Sequence, residues 1–227
     1  MSALFCACPL SGRHGGGGTE AAYPVHMKFS PLIVGCAALA LMAPGLSLFV
    51  SAPASAQTVA AWVPEEGFRS LFNGKDLTGW SFSLDERFDG KTESTDGRFT
   101  AGNGILAVQP QKEGQKRIGK IQTVETFGKD FVLRLEFRAS VNADSGIFLR
   151  GKQLQCRDYL VAGPYKELKK YKAQDWNVVE VTVKDGVAYC TCNGEVLEEA
   201  YKLPENGPIG FEADRGLMEY RRVRIKM

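Results

Sequence analysis

Alternation of apolar and polar residues is the pattern that most constrains how this chain can fold. In residues 131–138, phenylalanine and leucine alternate with valine, arginine and glutamate, and residues 179–184 repeat the pattern with valine. Because successive side chains of a strand point to opposite faces, the alternation indicates half-buried strands. Asp185-Gly186 and Asn193-Gly194 follow, and both dipeptides suit tight hairpins. Residues 177–200 are therefore predicted to form a three-stranded meander.

The rest of the chain after residue 65 shows short strand patterns and glycine-rich turns, with no convincing long amphipathic helix. Residues 166–172 could form one or two helical turns. Many short strands joined by such turns are typical of antiparallel sandwiches and barrels. The sequence therefore predicts an all-β fold with two packed antiparallel sheets. The side chains expected in its core are Trp80, Phe131, Leu133, Trp176, Val179, Val181, Ile209 and Phe211.

The start of the chain has the pattern of an export signal. Met27-Lys28 is followed by an apolar run over residues 32–50, which ends at Ala54-Ser55-Ala56. A charged start, an apolar stretch and a small-x-small site are typical of a Sec signal peptide, so we predict cleavage after Ala56. A membrane anchor is the alternative, since the run approaches the roughly 20 residues that span a bilayer, but glycine and proline interrupt it. We expect a secreted or periplasmic protein without stable membrane insertion.

This signal divides the chain into four predicted segments. Residues 1–26 precede a complete signal and show no periodicity, which predicts an upstream extension from a start codon assigned too early. Residues 27–56 are the predicted signal peptide, and residues 57–64 are a short linker. Residues 65–227 are then one domain, of a length within the usual range of roughly 100–200 residues.

Removal of residues 1–56 limits the chemistry of the mature protein. Both histidines, His14 and His26, lie in the removed part. This excludes a Ser-His-Asp or Cys-His site and any imidazole metal site, and we expect no metal and no cofactor. Lysine plus arginine falls from 28 to 26, and aspartate plus glutamate from 26 to 25, which leaves a net charge of about +1. Such a balance gives no basis for nucleic-acid binding.

Three cysteines remain in the mature chain, at positions 156, 190 and 192. Export permits disulfides. Cys190 and Cys192 face the same way on a strand and cannot comfortably bridge each other. Either one of them pairs with Cys156, or all three are buried free thiols.

The strand patterns also predict a polar platform. In residues 146–150, 153–158 and 209–215, apolar side chains alternate with amide, guanidinium and carboxylate side chains. Alternate residues of a strand share a face, so each strand has one core face and one polar face. The polar faces carry Phe148, Arg150, Gln153, Gln155, Arg157, Glu212 and Asp214. On one sheet surface they would form a hydrogen-bonding platform for a polyol; the alternative is an ordinary solvated face.

Several motifs of the domain also form an ordered set. The domain opens with Leu71-Phe72-Asn73-Gly74-Lys75-Asp76-Leu77-Thr78-Gly79-Trp80. Later marks follow at Asp130-Phe131, residues 145–150, Gly163-Pro164-Tyr165, Trp176-Asn177, Asn193-Gly194, residues 207–210 and residues 220–226. In this set the chain resembles the 3-keto-disaccharide hydrolase domain family, over about residues 65–227.

The resemblance implies a concanavalin-like jelly roll of two curved antiparallel sheets, and carbohydrate chemistry on 3-keto glycosides. In such a substrate the ketone at C3 acidifies the proton at C2. A carboxylate base could remove this proton, an arginine could hold the enolate oxygen, and the leaving group at C1 could depart before water adds. This route needs a base and oxyanion donors, and no histidine.

The chain departs from the family's pattern at three positions. The family often has glutamate where Gln153 stands, a His-Gly pair where Arg215-Gly216 stands, and asparagine where Asp144 stands. The base is therefore expected at Glu212 or Asp214. Arg150 is expected to be the catalytic cation, on one concave sheet with these acids. The expected substrate-binding residues are Phe148, Gln153, Gln155, Arg157, Asp158, Tyr165 and Arg215, of which Tyr165 and Arg215 would lie on flanking loops.

Two functions stay open from the sequence. One is an exported hydrolase or lyase that acts on glycosidic bonds of 3-keto sugars. The other is a non-catalytic carbohydrate-binding domain on the same scaffold, and fold alone does not choose between them. Clustered acids on the polar face would favour the enzyme. In both cases the expected partner is a small carbohydrate.

Overall fold

The computed structural model describes residues 62–115 and 119–227. The predicted signal peptide, the extension before it and most of the linker lie outside the described residues, and they stay predictions. Within the described ranges, no helix is long and apolar enough to cross a membrane.

The described part of the chain is built from strands and contains no α-helix, and residues 166–172 form turns and bends. The strands are β1 (Arg69–Ser70), β2 (Trp80–Ser83), β3 (Glu86–Arg87), β4 (Phe99–Gly102), β5 (Ile105–Val108), β6 (Gly119–Thr123), β7 (Phe131–Ala139), β8 (Asp144–Leu149), β9 (Lys152–Arg157), β10 (Asn177–Lys184), β11 (Val187–Cys192), β12 (Glu195–Lys202), β13 (Ile209–Ala213) and β14 (Met218–Lys226). As predicted, β10, β11 and β12 form an antiparallel meander.

The strands form two antiparallel sheets. The eight-stranded sheet has the order β12-β11-β10-β7-β14-β5-β4, and β1 also pairs with β14. The six-stranded sheet has the order β3-β2-β6-β13-β8-β9. The chain crosses repeatedly from one sheet to the other, so most neighbours within a sheet are distant in sequence. The result is a two-sheet jelly-roll sandwich, and the predicted fold class is confirmed.

The core lies between the two sheets. Seven of the eight expected core side chains are at most 3 % exposed. Trp80 stacks on Phe211 across the core, with ring centroids 5.2 Å apart. Trp176 is the exception, and its prediction as a core aromatic is wrong. Its ring is only partly buried and packs under the guanidinium groups of Arg138 and Arg221, whose carbons lie 4.8 and 3.9 Å from the ring centroid.

The opening motif, residues 71–80, forms a corner that leads into β2. Asn73 Oδ1 accepts hydrogen bonds from the backbone N–H groups of Lys75 and Asp76, at 2.8 and 3.0 Å. The indole N–H of buried Trp80 donates to the carbonyl of Leu71 at 3.0 Å. An asparagine that bonds the backbone two and three residues ahead stabilises a turn locally. Asn73 and Trp80 of the opening motif therefore stabilise the corner that leads into β2.

The three cysteines of the domain are buried free thiols. The sequence left open a disulfide to Cys156 or three free thiols, and the structure has three free thiols. Burial is the largest cause that raises the pKa of Cys190 and of Cys192 to about 12. These side chains behave as small apolar core residues.

Candidate functional site

The outer face of the six-stranded sheet carries the polar platform. In this sheet β13 lies between β6 and β8, and β9 lies beyond β8 at the edge. The register places Glu212 on β13 opposite Lys120 on β6, and Gly146 on β8 opposite Gln155 on β9. Glu212 follows the residue that pairs with Ile147, so it lies beside Gly146. Four adjacent strands thus form one continuous row on this face.

Gln153 reaches Glu212 across Gly146. Its amide Nε2 donates a hydrogen bond to Glu212 Oε2 at 2.6 Å. A Cβ at Gly146 would lie 2.6 Å from Gln153 Cγ and 2.8 Å from its Cδ, so glycine leaves the room in which the amide lies. On the core side, the hydroxyl of Ser145 donates to the backbone carbonyl of Glu212 at 2.6 Å. Ser145-Gly146 therefore positions both the backbone and the side chain of Glu212.

The carboxyl group of Glu212 is half-buried, and its pKa is raised above the usual value near 4.5. Burial is the largest cause, and the negative charges of Asp214 and Asp144 add to it. The hydrogen bond from Gln153 and the charge of Lys120 lower the pKa and oppose these effects. Among the residues that the structure describes, Oε1 of Glu212 has no hydrogen-bond partner. A carboxylate with a raised pKa and one free oxygen is a better proton acceptor than an ordinary exposed carboxylate.

Lys120 and Phe148 lie beside Glu212. The ammonium nitrogen of Lys120 is 4.7 Å from the ring centroid of Phe148, a distance at which cation and aromatic face attract. A cleft of about 560 Å³ opens next to Lys120, bordered by Phe82 and Asp96. This volume lies in the range of pockets that hold small ligands. The cleft and the row are therefore continuous at Lys120.

Asp144 is the centre of a second polar group on the same face. Its carboxylate accepts a hydrogen bond from Gln155 Nε2 at 2.8 Å, and forms ion pairs with Arg157 at 3.0 Å and Arg215 at 3.5 Å. Arg157 is 8 % exposed, and its Nε has no partner within the described part of the chain. Asp144 is thus occupied by three partners, whereas the arginines form a positive border. No group of three or more potential metal ligands occurs in residues 62–115 and 119–227.

Asp214 lies just after β13, between Glu212 and Arg215. Its backbone carbonyl accepts a hydrogen bond from the buried guanidinium of Arg98 at 3.1 Å. With Arg215 and Gly216 it lines a second cleft, of about 480 Å³. Asp214 is therefore near enough to Glu212 for its charge to act on the latter's pKa.

Arg150 does not join this group. The guanidinium is 4 % exposed and donates to the carbonyls of Lys129 at 2.6 Å and Pro204 at 3.1 Å. Arg150 lies in the β8–β9 turn with φ of 54°. It is four residues beyond Gly146, which is about 13 Å at the usual strand rise. The predicted placement of Arg150 beside the acids is wrong, because β8 ends at Leu149 and the turn directs the guanidinium to loop carbonyls.

Tyr165 and Asp158 also lie away from the platform. Tyr165 is buried, and its hydroxyl donates to Glu198 at 2.7 Å. Asp158 is 2 % exposed and accepts a backbone hydrogen bond at 3.0 Å from the loop before β8. Both hold the loop after β9 in place. It is the loop backbone that borders the platform, since a Cβ at Gly163 would lie 3.2 Å from Arg157 Cδ.

Sequence reasoning missed Lys120 and the anchoring role of Asp144. Lys120 alternates with buried Ile121, so the alternation that placed Glu212 on the polar face of its strand would have placed Lys120 on the polar face of β6. β6 has only five residues, which makes this signal short. Asp144 pairs with Arg157 through the β8–β9 register, and the sequence pattern alone does not contain that register.

The chain matches a family model described as the 3-keto-alpha-glucoside-1,2-lyase-like domain, over residues 67–226. This range includes nearly all of the residues that the structure describes. No curated protein sequence matches the chain significantly.

Solved structures similar to this one include two proteins of Parabacteroides distasonis ATCC 8503 that are provisionally named glycosyl hydrolases. One is 19 % identical with a TM-score of 0.57, over 73 % of this chain and 98 % of that one. The other is 17 % identical with a TM-score of 0.52, over 70 % of this chain and 98 % of that one. At these identities the likeness shows a shared fold, and any activity has to be argued from the site.

Proposed function

Because the chain belongs to the 3-keto-alpha-glucoside-1,2-lyase-like domain family, we propose that it cleaves the glycosidic bond of 3-keto sugars by base-assisted elimination, after which water adds. The observation that carries the proposal is Glu212. It is a half-buried carboxylate with a raised pKa, oriented through one oxygen by Gln153. With the export signal predicted for residues 27–56, we expect this reaction to take place outside the cytoplasm.

Glu212 is the proton acceptor in this proposal. Its free oxygen takes the C2 proton, and the electron pair of the C2–H bond forms the enolate, with negative charge on the C3 oxygen. The enolate then re-forms the C3 carbonyl, a C1=C2 double bond forms, and the C1–O bond breaks. The departing oxygen takes the proton from Glu212, which is thereby ready to act again. Water finally adds across C1=C2, with the hydroxyl on C1 and the proton on C2.

Lys120 is the cation that fits the enolate oxygen. It pairs in register with Glu212, and its charge already acts on that carboxyl group. Arg150, the cation expected from the sequence, is bound to loop carbonyls instead. A charge placed where negative charge develops is commonly the largest single contribution to such a reaction.

The rest of the platform binds the sugar. Phe148 offers an apolar surface for the C–H groups of a pyranose ring, held in place beside Lys120. At the far end of the row, Gln155 uses both N–H groups of its amide on Asp144 and on the carbonyl of Ser145, whereas Nε of Arg157 is unpartnered within the described residues. A buried guanidinium nitrogen without a partner is suited to receive a sugar hydroxyl oxygen.

The test is release of monosaccharide from a 3-keto disaccharide by the purified protein and by Glu212→Gln. We expect this variant to lose about 10²–10⁴-fold in rate, the usual effect of removing a general base. Glu199→Gln, on the exposed side of β12, is the matched control and should keep full activity.

Two results would contradict the proposal. A folded Glu212→Gln variant with full activity would exclude Glu212 as the base. A wild-type protein that binds 3-keto and ordinary disaccharides but cleaves neither would instead identify a carbohydrate-binding domain, the alternative that the sequence left open.

A further inference from the structure

A further cleft lies on the eight-stranded sheet, where the segment before β2 meets β5 and β14. Its volume is about 580 Å³. The side chains that shape it include Trp62, Asn73, Asn103, Ile105, Arg221 and Arg222. Two of the residues that line the cleft are arginines. None of its described lining residues is acidic. The catalytic row proposed above lies on the other sheet.

A β-bulge in β14 brings the two arginines together. The pairing of β14 with β7 shifts between Arg221 and Arg224, and Arg222 has φ of 52°. Consecutive residues of a regular strand face opposite ways, but a bulge re-aims one of them. Arg221 and Arg222 therefore reach the same carboxylate, that of Glu136, at 2.7 and 2.9 Å.

The bulge leaves the cleft with surplus positive charge. The carboxylate of Glu136 is 10 % exposed and forms ion pairs with two guanidinium groups, which are 29 % and 41 % exposed. Each of Arg221 and Arg222 uses one nitrogen on Glu136, so further N–H groups stay available on both. Two such forks match the geometry of a carboxylate better than ammonium groups would.

Other residues of the cleft suit a sugar ring. The indole of Trp62 is 36 % exposed, and the guanidinium of Arg224 lies 5.3 Å from its centroid. Asn103 lies in the β4–β5 turn, and its side chain has no hydrogen-bond partner among the described residues. The next residue, Gly104, donates its N–H to the carbonyl of Gly74 at 2.8 Å. The opening motif thus also supports the wall of this cleft.

From these contacts we propose that the cleft binds a sugar that carries a carboxylate, a hexuronate or its oligomer, independently of the site at Glu212. The forks of Arg221 and Arg222 hold the carboxylate, Trp62 packs on the ring, and the amide of Asn103 bonds a hydroxyl. The volume is that of pockets for small ligands.

The experiment is calorimetric titration of the purified protein with glucuronate, with glucose and with acetate. We expect saturable binding of glucuronate. Glucose and acetate should each bind at least about tenfold more weakly, because glucose lacks the carboxylate and acetate lacks the sugar ring. Arg222→Gln should weaken glucuronate binding about tenfold to a hundredfold, as the loss of hydrogen bonds to a charged group predicts. Arg87→Gln, which changes an exposed arginine on β3, is the matched control and should bind normally.

A second variant keeps the test decisive if Arg222→Gln does not fold. Asn103→Gly removes the side-chain amide, and glycine tolerates the positive φ of this turn. This variant should weaken glucuronate binding several-fold. Unchanged glucuronate affinity in the folded variants would overturn the proposal, as would the absence of saturable binding to the wild type. Acetate that binds as well as glucuronate would overturn the sugar part, since the cleft would then be an anion site alone.

Discussion

Replacement of Gly146 by alanine is expected to impair the site without harming the fold. The new Cβ would lie 2.6 Å from Gln153 Cγ and 2.8 Å from its Cδ, closer than such atoms approach. The long side chain of Gln153 is the group that can move, so it leaves Glu212 while the strands keep their register. Gly146 does not have a positive φ, so alanine fits its backbone. Because alanine lowers the conformational entropy of the unfolded chain, the replacement should by itself stabilise the folded protein by a few tenths of a kcal/mol.

The magnitude follows from the hydrogen bond that is lost. A bond to a charged group contributes about 1.5–3 kcal/mol, and the half-exposed position of Glu212 puts this one at the lower end. A loss of about 1.5 kcal/mol from the reacting arrangement corresponds to roughly a tenfold fall in kcat/KM. Because the bond from Gln153 lowers the pKa of Glu212, its removal should raise that pKa further.

The assay is the pH dependence of kcat/KM on a 3-keto disaccharide, with the melting temperature measured in parallel. The acidic limb of the profile should move to higher pH in Gly146→Ala and in Gln153→Ala, and the double variant should show no further shift. Gly102→Ala is the matched control, since nothing lies within 4 Å of a Cβ there. If Gly146→Ala folds normally and keeps the wild-type profile, the role given to Gln153 is wrong.

The remaining predictions concern processing, the thiols and stability. N-terminal sequencing of exported protein should find Gln57 first, and a product that retains Met27 would contradict the signal assignment. In that form the three thiols should react with a thiol reagent only after unfolding, since burial raises the pKa of Cys190 and Cys192 to about 12; rapid reaction in the native state would show that they are accessible. The folded-state pKa of Glu212 exceeds 4.5, so above pH 4.5 the folded protein holds more protons and its stability falls as pH rises through the folded pKa. Glu212→Gln should therefore melt at a higher temperature than wild type at pH 7 and not at pH 3, and equal shifts at both pH values would contradict this linkage.

The alternation of side chains between the two faces of a strand, their parity, accounts for what the sequence predicted correctly. Gln153, Gln155 and Glu212 each alternate with buried residues, so their common outward direction follows from local pattern alone. The buried side chains opposite them follow from the same rule. This is enough to predict a sandwich with one polar face, because period-two alternation is a property of each strand by itself.

Parity does not say where a strand ends or which strand lies next to it. Arg150 continues the alternation of β8, yet the strand stops one residue earlier and Arg150 takes φ of 54°. Lys120 becomes a neighbour of Glu212 only through the pairing of β6 with β13, two strands far apart in the chain. Such long-range register depends on how the whole core packs, and a short strand such as β6 carries too little pattern to specify it.

The two outer faces of the sandwich show why Glu212, rather than another glutamate, is suited to act as a base. On the eight-stranded sheet, Glu219 pairs with Arg138 at 2.7 Å, and Glu136 binds two arginines. In these ion pairs an arginine occupies carboxylate oxygens that would otherwise be free to take a proton. Glu212 has a neutral amide, that of Gln153, where those residues have a guanidinium, and it is half-buried between other acids. The same alternation of polar residues therefore produces carboxylates paired with arginines on one sheet. On the other sheet, the glycine at position 146 and the amide laid across it leave one carboxylate basic enough to take a proton.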